Sequence, residues 1–325
     1  MSQPGGTLVV LRTAGKRLLS VNTRDMLRAQ VLQLREHGLA WTARWNALFI
    51  DAAVRERLHR HRYQVLSEAD LIGSRRSDTV FVFGSGYSLN DITPGEWDRI
   101  AAYDTFGFTG FIAQRWVRTD YHLIRGGVEV SLTWRPFAED FCRTLNENPH
   151  FTRTILILQG EYRAVFANQI LGYGLVRPGT RIFRYRTARG EGLPSLAFAG
   201  GIRHGAGTLC DAVNAAVCMG WRRIVLTGVD LYDSRYFWLK PDETLQFDEA
   251  TGLTRPGQIN ARGGSPNHPH NTTRNGIVEA LGDWRTYLER ERGCSLEVYN
   301  PRSLLAPVMP VFQWSREDSE LSHAR

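Results

Sequence analysis

The stretch Thr79-Val-Phe-Val-Phe83, followed at once by Gly84-Ser-Gly-Tyr-Ser-Leu89, decides the fold. Five consecutive β-forming residues predict a buried strand of a parallel sheet. The two glycines allow a sharp turn that leaves backbone amides uncovered, and Ser88 or Asn90 can cap a helix that begins near Asp91. Such a strand, turn and helix start are typical of phosphate or nucleotide sites in α/β proteins. The spacing lacks the third glycine of the dinucleotide fingerprint and the Gly-Lys-Ser/Thr of a P-loop, so a plain tight turn is an equally good interpretation.

Strand and helix patterns alternate regularly from residue 78 onwards. This alternation predicts an α/β fold with a Rossmann-like, mostly parallel sheet that carries helices on both faces. The predicted strands are 79–83, 104–108, 120–124, 154–158, 181–184, 223–228 and 295–299. The predicted helices are 91–101, 136–145, 161–171, 207–219 and 273–292.

The chain divides into three regions by composition. Residues 1–76 form an N-terminal helical extension, in which 23–62 carries apolar residues at helical spacing. Residues 77–312 form the Rossmann-like domain, and 313–325 form a polar C-terminal tail. The periodicity is lost over about 233–271, where Pro, Gly, Asn and acidic residues accumulate. A loop of that length in a compact domain predicts a substrate lid.

The amino-acid composition limits the class of protein to which the chain can belong. The 325 residues are 42% hydrophobic and 22% charged, which is typical of a soluble globular protein. The net charge of +7 comes from dispersed arginines rather than a basic stripe, which argues against nucleic acid as a partner. The four cysteines are far apart, as expected in a reducing compartment, and no apolar run is long enough to span a membrane. We expect a cytoplasmic protein, and leave open peripheral contact with the inner face of the membrane and homo-oligomer formation.

A second glycine-bearing block, Gly200-Gly-Ile-Arg-His-Gly-Ala-Gly-Thr208, leads into a predicted helix. A helix N-terminus favours an anion, and Thr208 can cap the helix or bind a carboxylate. Close packing of helix on sheet is an equally good interpretation. Asp230 and Tyr232 follow the next strand, at the edge where open α/β sheets bind ligands. Asp230 is then a ligand group or an acceptor for loop amides, and we slightly favour the second.

Two tyrosines and two histidines are the remaining candidate catalytic residues. Tyr232 and Tyr236 could donate hydrogen bonds to a departing phosphate without a metal, or could be core residues. His268 and His270 stand after the predicted lid and before a predicted helix, a position that suits a general base near neutral pH. No carboxylate or cysteine set at matching spacing accompanies the His-x-His pair, and no Asp-x-Asp occurs, so we predict no metal site.

In order and spacing, these motifs resemble the bacterial sialyltransferases of glycosyltransferase family 42. The family's Gly-Asn-Gly-Pro-Ser-Leu turn corresponds to Gly84-Ser-Gly-Tyr-Ser-Leu89, and its Ser-Gly-Ile-Asp-Phe-Tyr strand end to Thr227-Gly-Val-Asp-Leu-Tyr232. Its Gly-His before a helix corresponds to Pro269-His270, and its closing Cys-Pro-Asn-Ser-Leu-Leu-Ala to Asn300-Pro-Arg-Ser-Leu-Leu-Ala306. The resemblance covers roughly residues 78–312.

The resemblance implies a GT-A-like variant of the Rossmann fold and an inverting, metal-independent glycosyltransferase. Its donor would be a CMP-sugar that carries a sialic acid or a related nonulosonic acid, its acceptor a glycan hydroxyl, and it would need no cofactor. His270 would be the general base, while Tyr232 and Tyr236 would stabilise the phosphate of the leaving CMP. The expected substrate-binding residues are Gly84, Ser85, Gly86, Ser88, Thr109, Arg125, Arg203, Thr208, Asp230, His268 and Ser303.

Departures from the family pattern leave alternatives open. Ser85 stands where the family has asparagine, and Thr109, Arg125 and Asn267 replace other donor-site residues of the family. Another CMP-linked nonulosonic acid or another nucleotide sugar is therefore an alternative donor. Two other classes of protein also stay open. One is an ATP- and magnesium-dependent enzyme that resembles pterin pyrophosphokinases, and the other is a non-catalytic nucleotide- or sugar-binding protein of surface-polysaccharide synthesis.

Overall fold

A single parallel sheet of eight strands is the central element of the computed structural model. The structure describes residues 31, 34–36, 38–126, 134–161, 164–188, 190, 192–240, 244–248, 253–257 and 269–315. In chain order the strands are β1 (Gln64–Val65), β2 (Thr79–Phe83), β3 (Asp104–Phe108), β4 (Tyr121–Ile124), β5 (Ile155–Gln159), β6 (Arg181–Tyr185), β7 (Arg223–Thr227), β8 (Thr244–Asp248), β9 (Leu253–Gly257) and β10 (Ser295–Val298).

Helices follow most of the strands. They are α1 (Leu39–His59), α2 (Glu68–Gly73), α3 (Pro94–Ile100), α4 (Trp134–Glu147), α5 (Val165–Gly172), α6 (Thr208–Met219) and α7 (Ile277–Arg292). Short 3-10 segments lie at Arg60–Arg62, Tyr87–Asp91, Thr109–Ala113, Pro149–Phe151, Phe198–Gly200 and Asn271–Asn275.

The strand order places a topological switch point in the middle of the sheet. The order is β1-β6-β5-β4-β3-β2-β7-β10, and every pair in this sheet is parallel. From β2 the chain builds outward through β3 to β6, and then returns to add β7 and β10 on the other side of β2. A crevice opens at such a reversal because the connections leave in opposite directions, and it lies at the carboxyl ends of the strands. Here it falls between β2 and β7.

Both faces of the sheet are covered, which explains the apolar runs of strands such as β2 and β5. In β2, Val80 and Val82 pack into one cluster with the apolar side chains of α6 and α7. Phe81 and Phe83 point to the other face and pack with those of α3, α4 and α5. All four side chains are fully buried, and each such burial stabilises the fold by roughly 1.5–3 kcal/mol.

The predicted fold class is confirmed, and seven of the sheet strands lie within one residue of their predicted bounds at each end. The eighth, β1, has only two residues, too few for a pattern to reveal it. The interval 233–271 was expected to be irregular, yet it contains the antiparallel pair β8 and β9. Its proposed role as a lid stays a prediction.

Three helices begin at least three residues later than predicted: α3, α5 (165 rather than 161) and α7. Local signals explain the first and the last. Ser88 and Asn90 do not cap α3; the helix begins at Pro94, because Thr93 and Glu96 form a capping box at its N-terminus. The last helix begins at residue 277 rather than 273, because Gly276 adopts φ +73 and ends the preceding 3-10 segment. Both local signals are present in the sequence.

Contacts divide the chain into two units, Met1–Asp51 and Ala52–Arg325. The sheet belongs entirely to the second unit. The described part of the first unit is helical, as expected, and α1 begins in it. Trp41, Trp45 and Phe49 follow one another at the four-residue spacing of a helix, with ring centroids 5.5 and 4.7 Å apart. The proposed division of the chain at residue 76 stays a prediction.

Glycines allow the turns after β2 and β7 to approach each other. A Cβ on Gly84 would lie 2.5 Å from the carbonyl oxygen of Gly228. A Cβ on Gly86 would lie 2.5 Å from Asp230 Oδ2 and 2.7 Å from the same carbonyl oxygen. No real Cβ atom tolerates such distances from backbone, so close approach, rather than a special dihedral angle, requires glycine at both positions.

We expect Gly84→Ala to lower the free energy of unfolding by about 1–3 kcal/mol, because the new methyl group meets backbone that cannot rotate away. Urea denaturation followed by circular dichroism measures this. Gly95→Ala is the matched control: Gly95 lies in the first turn of α3 and has nothing within 4 Å of its Cβ position. That variant should gain up to about 1 kcal/mol, since alanine restricts the unfolded chain. Equal stability of the two variants would contradict the close approach.

Candidate functional site

A cavity of about 270 Å³ opens at the carboxyl ends of β2, β3 and β7, beside the N-terminus of α6. This is the switch point of the sheet, where the topology predicts a ligand. Most of the predicted site residues line it: Gly84, Ser85, Gly86, Thr109, Thr208, Asp230, Tyr236 and His270. The sequence separates these residues widely, and the parallel sheet brings them to one edge.

Backbone strain is concentrated at the same cavity. Thr109 (φ +47) and Leu231 (φ +62) are the non-glycine residues of the described ranges that have positive φ, and both line the cavity. Residues held in this conformation cost roughly 1–3 kcal/mol each and tend to cluster at functional sites. The strain therefore marks this edge of the sheet as a site independently of its side chains.

The glycine turn after β2 does not offer its glycine amides to a ligand. The amide of Gly84 donates to the carbonyl oxygen of Thr227 at 2.9 Å, and that of Gly86 to Gly228 at 2.8 Å. The amide of Ser88 donates to Asp230 Oδ2 at 2.9 Å. The expectation of uncovered amides was therefore wrong for these three residues, because the turn extends the hydrogen bonding between β2 and β7 beyond the strands.

The carboxylate of Asp230 is an acceptor for three donors. It is 2% exposed and accepts from the amide and the hydroxyl of Ser88 and from Asn300 Nδ2, which is 2.9 Å away. Ser303 lies beside it and donates its hydroxyl to the carbonyl oxygen of Val229 at 2.6 Å. The side chains of Ser88 and Ser303 thus hold the turn after β7, and the structural role that we favoured for Asp230 agrees with these contacts.

His270 and Tyr236 face each other across the cavity. Tyr236 Oη lies 3.5 Å from His270 Nε2, the outer limit of a hydrogen bond, and His270 Nδ1 lies 2.9 Å from Thr272 Oγ1. The amide of His270 donates to the carbonyl oxygen of Leu231 at 2.8 Å, which fixes the segment before α7 to the end of β7. Burial lowers the pKa of His270 and raises the pKa of Tyr236. The pair is therefore a neutral imidazole and a protonated phenol near neutral pH.

The backbone on either side of Tyr236 is held against the glycine turn. Tyr236 forms an isolated antiparallel bridge with Gly86, and the amide of Phe237 donates to the carbonyl oxygen of Ser85 at 3.1 Å. The Tyr236 ring stacks on Trp238 with centroids 4.7 Å apart. A Cβ on Gly110 would lie 2.6 Å from the Trp238 ring, so glycine is needed there to admit the indole.

Ser85 supplies the polar atom that most directly indicates a ligand. Its hydroxyl is buried, lines the cavity, and has no hydrogen-bond partner among the residues that the structure describes. Buried hydroxyls in folded proteins nearly always have a partner, and leaving one unpaired costs about 1–3 kcal/mol. A bound molecule that accepts a hydrogen bond here would remove that cost.

Other predicted residues lie outside this cavity. Arg125 forms an ion pair with Asp211 at 2.6 Å, behind the first turn of α6. Arg203 donates to the carbonyl oxygen of Leu193 at 2.7 Å. The ring of Tyr232 faces the guanidinium of Arg302 at 5.8 Å and does not line the cavity. His268 lies outside the described residues.

Sequence reasoning missed three polar groups of this region. These are Thr272, Arg235 and Asp233, and all three line the cavity. Thr272 contacts the imidazole of His270, and the guanidinium of Arg235 pairs with Asp233 at 2.7 Å. Asp211 accepts from His204 as well as from Arg125, although burial raises its pKa. The Asp-x-Arg spacing at 233–235 is a local signal, whereas nothing in the sequence shows the contacts of Asp211 and Arg125.

Over the described ranges, no three or more His, Cys, Asp or Glu side chains are grouped so that they could hold a metal ion. None of the helices found there combines the length and the apolar composition needed to cross a bilayer.

Fold and cavity together define an α/β protein with a cavity at the switch point of a parallel sheet. No protein-family model matches the chain, and no curated protein matches its sequence. Among solved structures, the chain is similar to the sialyltransferase CstII from Campylobacter jejuni, which was determined in complex with a substrate analogue, cytidine-5'-monophosphate. The identity is 14% and the TM-score 0.39, and the match covers 74% of this chain and 96% of that one. The monofunctional alpha-2,3-sialyltransferase Cst-I from the same organism is similar at 13% identity and TM-score 0.41, over 77% and 85%. Sequence identities and TM-scores this low do not establish a common activity.

Replacement of the buried carboxylate tests its role in the site. We expect Asp230→Asn to lower the free energy of unfolding by about 1–3 kcal/mol, because an amide offers fewer acceptor positions to Ser88 and Asn300. Urea denaturation measures the loss. Asp98→Asn on the exposed side of α3 is the control and should change stability by less than about 0.5 kcal/mol. A loss no larger than that of the control would show that the carboxylate does not hold the turn.

Proposed function

We propose that this protein is an inverting, metal-independent glycosyltransferase that moves a sialic acid or related nonulosonic acid from a CMP-sugar to a glycan hydroxyl. The observation that carries the proposal is the neutral His270 facing the protonated Tyr236 at the switch-point cavity. The ordered motifs that resemble glycosyltransferase family 42 supply the choice of donor, and the unpartnered hydroxyl of Ser85 supports binding of a ligand there.

In this proposal His270 is the general base. The amide of Thr272 points at Nδ1 from 3.3 Å, so a base at Nε2 requires the tautomer in which Nδ1–H donates to Thr272 Oγ1 instead, 2.9 Å away. In that tautomer the lone pair of Nε2 takes the proton of the acceptor hydroxyl. Because burial lowers the pKa of His270, the imidazole is in its basic form throughout the neutral range. Thr272 is a positioning residue, since it acts on the acceptor only through the imidazole.

Tyr236 and the N-terminus of α6 are the proposed partners of the departing phosphate. The phenol keeps its proton because burial raises the pKa of Tyr236, so it can donate to a developing negative charge. Thr208 and Leu209, the first residues of α6, line the cavity, where the helix dipole favours an anion. Tyr232, whose ring lies elsewhere, has no part in this proposal.

An inverting displacement requires Tyr236 and His270 to separate when the donor binds. The base and the leaving phosphate act on opposite sides of the anomeric carbon, so the acceptor oxygen, that carbon and the phosphate oxygen all lie between them. The present 3.5 Å between Tyr236 Oη and His270 Nε2 cannot hold those atoms. Because Trp238 stacks on Tyr236, this rearrangement would change the environment of the indole and hence its fluorescence.

A nucleotide screen tests the donor. We expect CMP and CMP-sugars to raise the melting temperature, while UDP- and GDP-sugars have little effect, because a ligand that binds only the folded state stabilises it by mass action. Differential scanning fluorimetry measures the shift at matched ionic strength. ATP with magnesium is included, since a preference for it would favour the pyrophosphokinase-like alternative. No shift with any CMP compound would overturn the proposed donor.

Removal of the base tests the chemistry. We expect His270→Asn to lower the turnover of CMP-sugar by about 10²–10⁴-fold while CMP binding is retained, because general-base catalysis contributes that much. His61→Asn, an exposed histidine distant in sequence, is the control. Retention of CMP binding with no turnover of any CMP-sugar by the unmodified protein would instead support a non-catalytic binding protein.

The pH dependence of kcat/KM identifies the same group. We expect kcat/KM to be level above pH 6.5 and to fall on the acid side, because burial lowers the pKa of His270 below its usual 6.5 and protonation removes the base. Thr272→Val should shift this acid limb, since it removes the hydroxyl partner of Nδ1 and leaves only the backbone amide, whereas Thr272→Ser should restore it. An acid limb that neither variant moves would exclude a positioning role for Thr272.

A further inference from the structure

A second and larger cavity lies at the opposite edge of the sheet. Its volume is about 670 Å³, and its lining includes the residues at which β4, β5 and β6 begin: Tyr121, Ile155 and Arg181. The cavity that holds His270 lies at the other ends of parallel strands, about 17 Å away for strands of five residues. A small ligand cannot reach both, so this second cavity plays no part in the proposed glycosyl transfer.

Positive charge dominates the lining of this cavity. Its charged lining residues are five arginines and one aspartate: Arg76, Arg118, Arg153, Arg177, Arg181 and Asp120. A concave surface that carries one sign of charge concentrates the opposite charge from solution. Guanidinium groups also match phosphate and carboxylate oxygens with pairs of hydrogen bonds.

Only part of that positive charge is neutralised within the chain. Asp120 pairs with both Arg76 and Arg118, at 2.6 and 2.7 Å. Arg181 donates to the carbonyl oxygen of Arg153 at 2.7 Å, and Arg177 donates to that of Asn146. In the described parts of the chain, the guanidinium groups of Arg153, Arg177 and Arg181 form no ion pair with a carboxylate. These three positive charges are available to an anion.

Two threonine hydroxyl groups of the lining already donate their hydrogens to backbone. Thr154 Oγ1 donates to the carbonyl oxygen of Thr119 at 2.6 Å, and Thr180 Oγ1 to that of Arg177 at 2.6 Å. They can therefore only accept from a ligand. The side-chain amides of Gln64 and Asn146 also line the cavity, but the guanidinium groups are its charged donors, so its positive charge favours an anion over a neutral polar molecule.

The spacing of the arginines favours an extended anion. Arg118 precedes β4, Arg153 precedes β5 and Arg181 begins β6, and these three strands are neighbours in the sheet. Neighbouring strands lie about 4.8 Å apart, so the backbone positions of this array span about 10 Å. Arg153 and Arg181 carry the unneutralised charge within it, while Arg118 shares Asp120 with Arg76. We propose that this cavity binds a small polyanion that carries two or more linked phosphoryl groups, at a site separate from the switch-point cavity.

Isothermal titration calorimetry with pyrophosphate and tripolyphosphate on the full chain tests the proposal. We expect both to bind, and to bind at least tenfold more tightly than inorganic phosphate, because longer anions contact more of the arginines. Sodium chloride of equal ionic strength should give no saturable heat. The double variant Arg153→Gln/Arg177→Gln should weaken pyrophosphate binding at least tenfold, and urea denaturation checks that it remains folded.

Two control variants locate the binding. Arg290→Gln removes an arginine at the end of α7 that is exposed and distant from the cavity in the sequence, and should leave pyrophosphate affinity within twofold. Arg235→Gln removes the arginine that lines the switch-point cavity and should likewise have little effect. Unchanged pyrophosphate affinity in the double variant would overturn the proposal, whatever the effect of Arg235→Gln, as would absence of saturable binding to the unmodified chain. Neither result bears on the proposed glycosyl transfer.

Discussion

The fold around the switch point depends on one buried carboxylate. Asp230 follows β7, and its side chain accepts from Ser88 in the turn after β2 and from Asn300 in the segment after β10. Three parts of the chain that are far apart in sequence thus meet at one group. Burying a carboxylate costs free energy unless hydrogen-bond donors surround it. The buried charge of Asp230 therefore needs the donors from Ser88 and Asn300. Gly86 completes the arrangement, because a side chain there would occupy the position of Asp230 Oδ2.

A second carboxylate performs the same task at the opposite edge. Asp104 at the start of β3 is fully buried and accepts from the amides of Arg76 and Ser77 and from Trp221 Nε1 at 2.8 Å. The segments that enter β2 and β7 are therefore held together before the strands begin, as Asp230 holds them after the strands end. Because β2 and β7 are held together at both ends, the cavity between them lies on rigid elements. Rigid elements are needed to place reacting groups precisely.

The sequence predicts the parts of this structure that burial alone determines. Seven strands of the sheet are predicted to within one residue because the sheet is covered on both faces, so the middle of most strands is apolar. The start of α3 was misplaced because Ser88 looks like a capping residue, and only the contact with Asp230, which is 142 positions away, shows that its hydroxyl is used elsewhere. The capping box at Thr93 and Glu96 is a local signal in the sequence that places the start of α3 correctly.

The candidate site was predictable in position but not in contacts. Residues that follow strands of a parallel sheet meet at one edge, so Gly84, Thr109, Asp230 and their neighbours could be placed together without coordinates. Whether a side chain in that group holds the fold or faces the cavity depends on partners from distant segments. Ser85 and Ser88 show this: they lie three positions apart, yet one hydroxyl has no partner among the described residues and the other serves Asp230.

The two edges of the sheet offer anions different chemistry. At the carboxyl edge Arg235 is paired with Asp233, so a phosphate there would meet Tyr236, Ser85 and the start of α6 rather than an uncompensated guanidinium. Neutral donors and a helix dipole can stabilise the charge that develops on a leaving phosphate without holding the product tightly, which favours release. At the amino edge unneutralised arginines favour retention of an anion. Under the two proposals, the distribution of charge therefore suits turnover at one edge of the sheet and stable binding at the other.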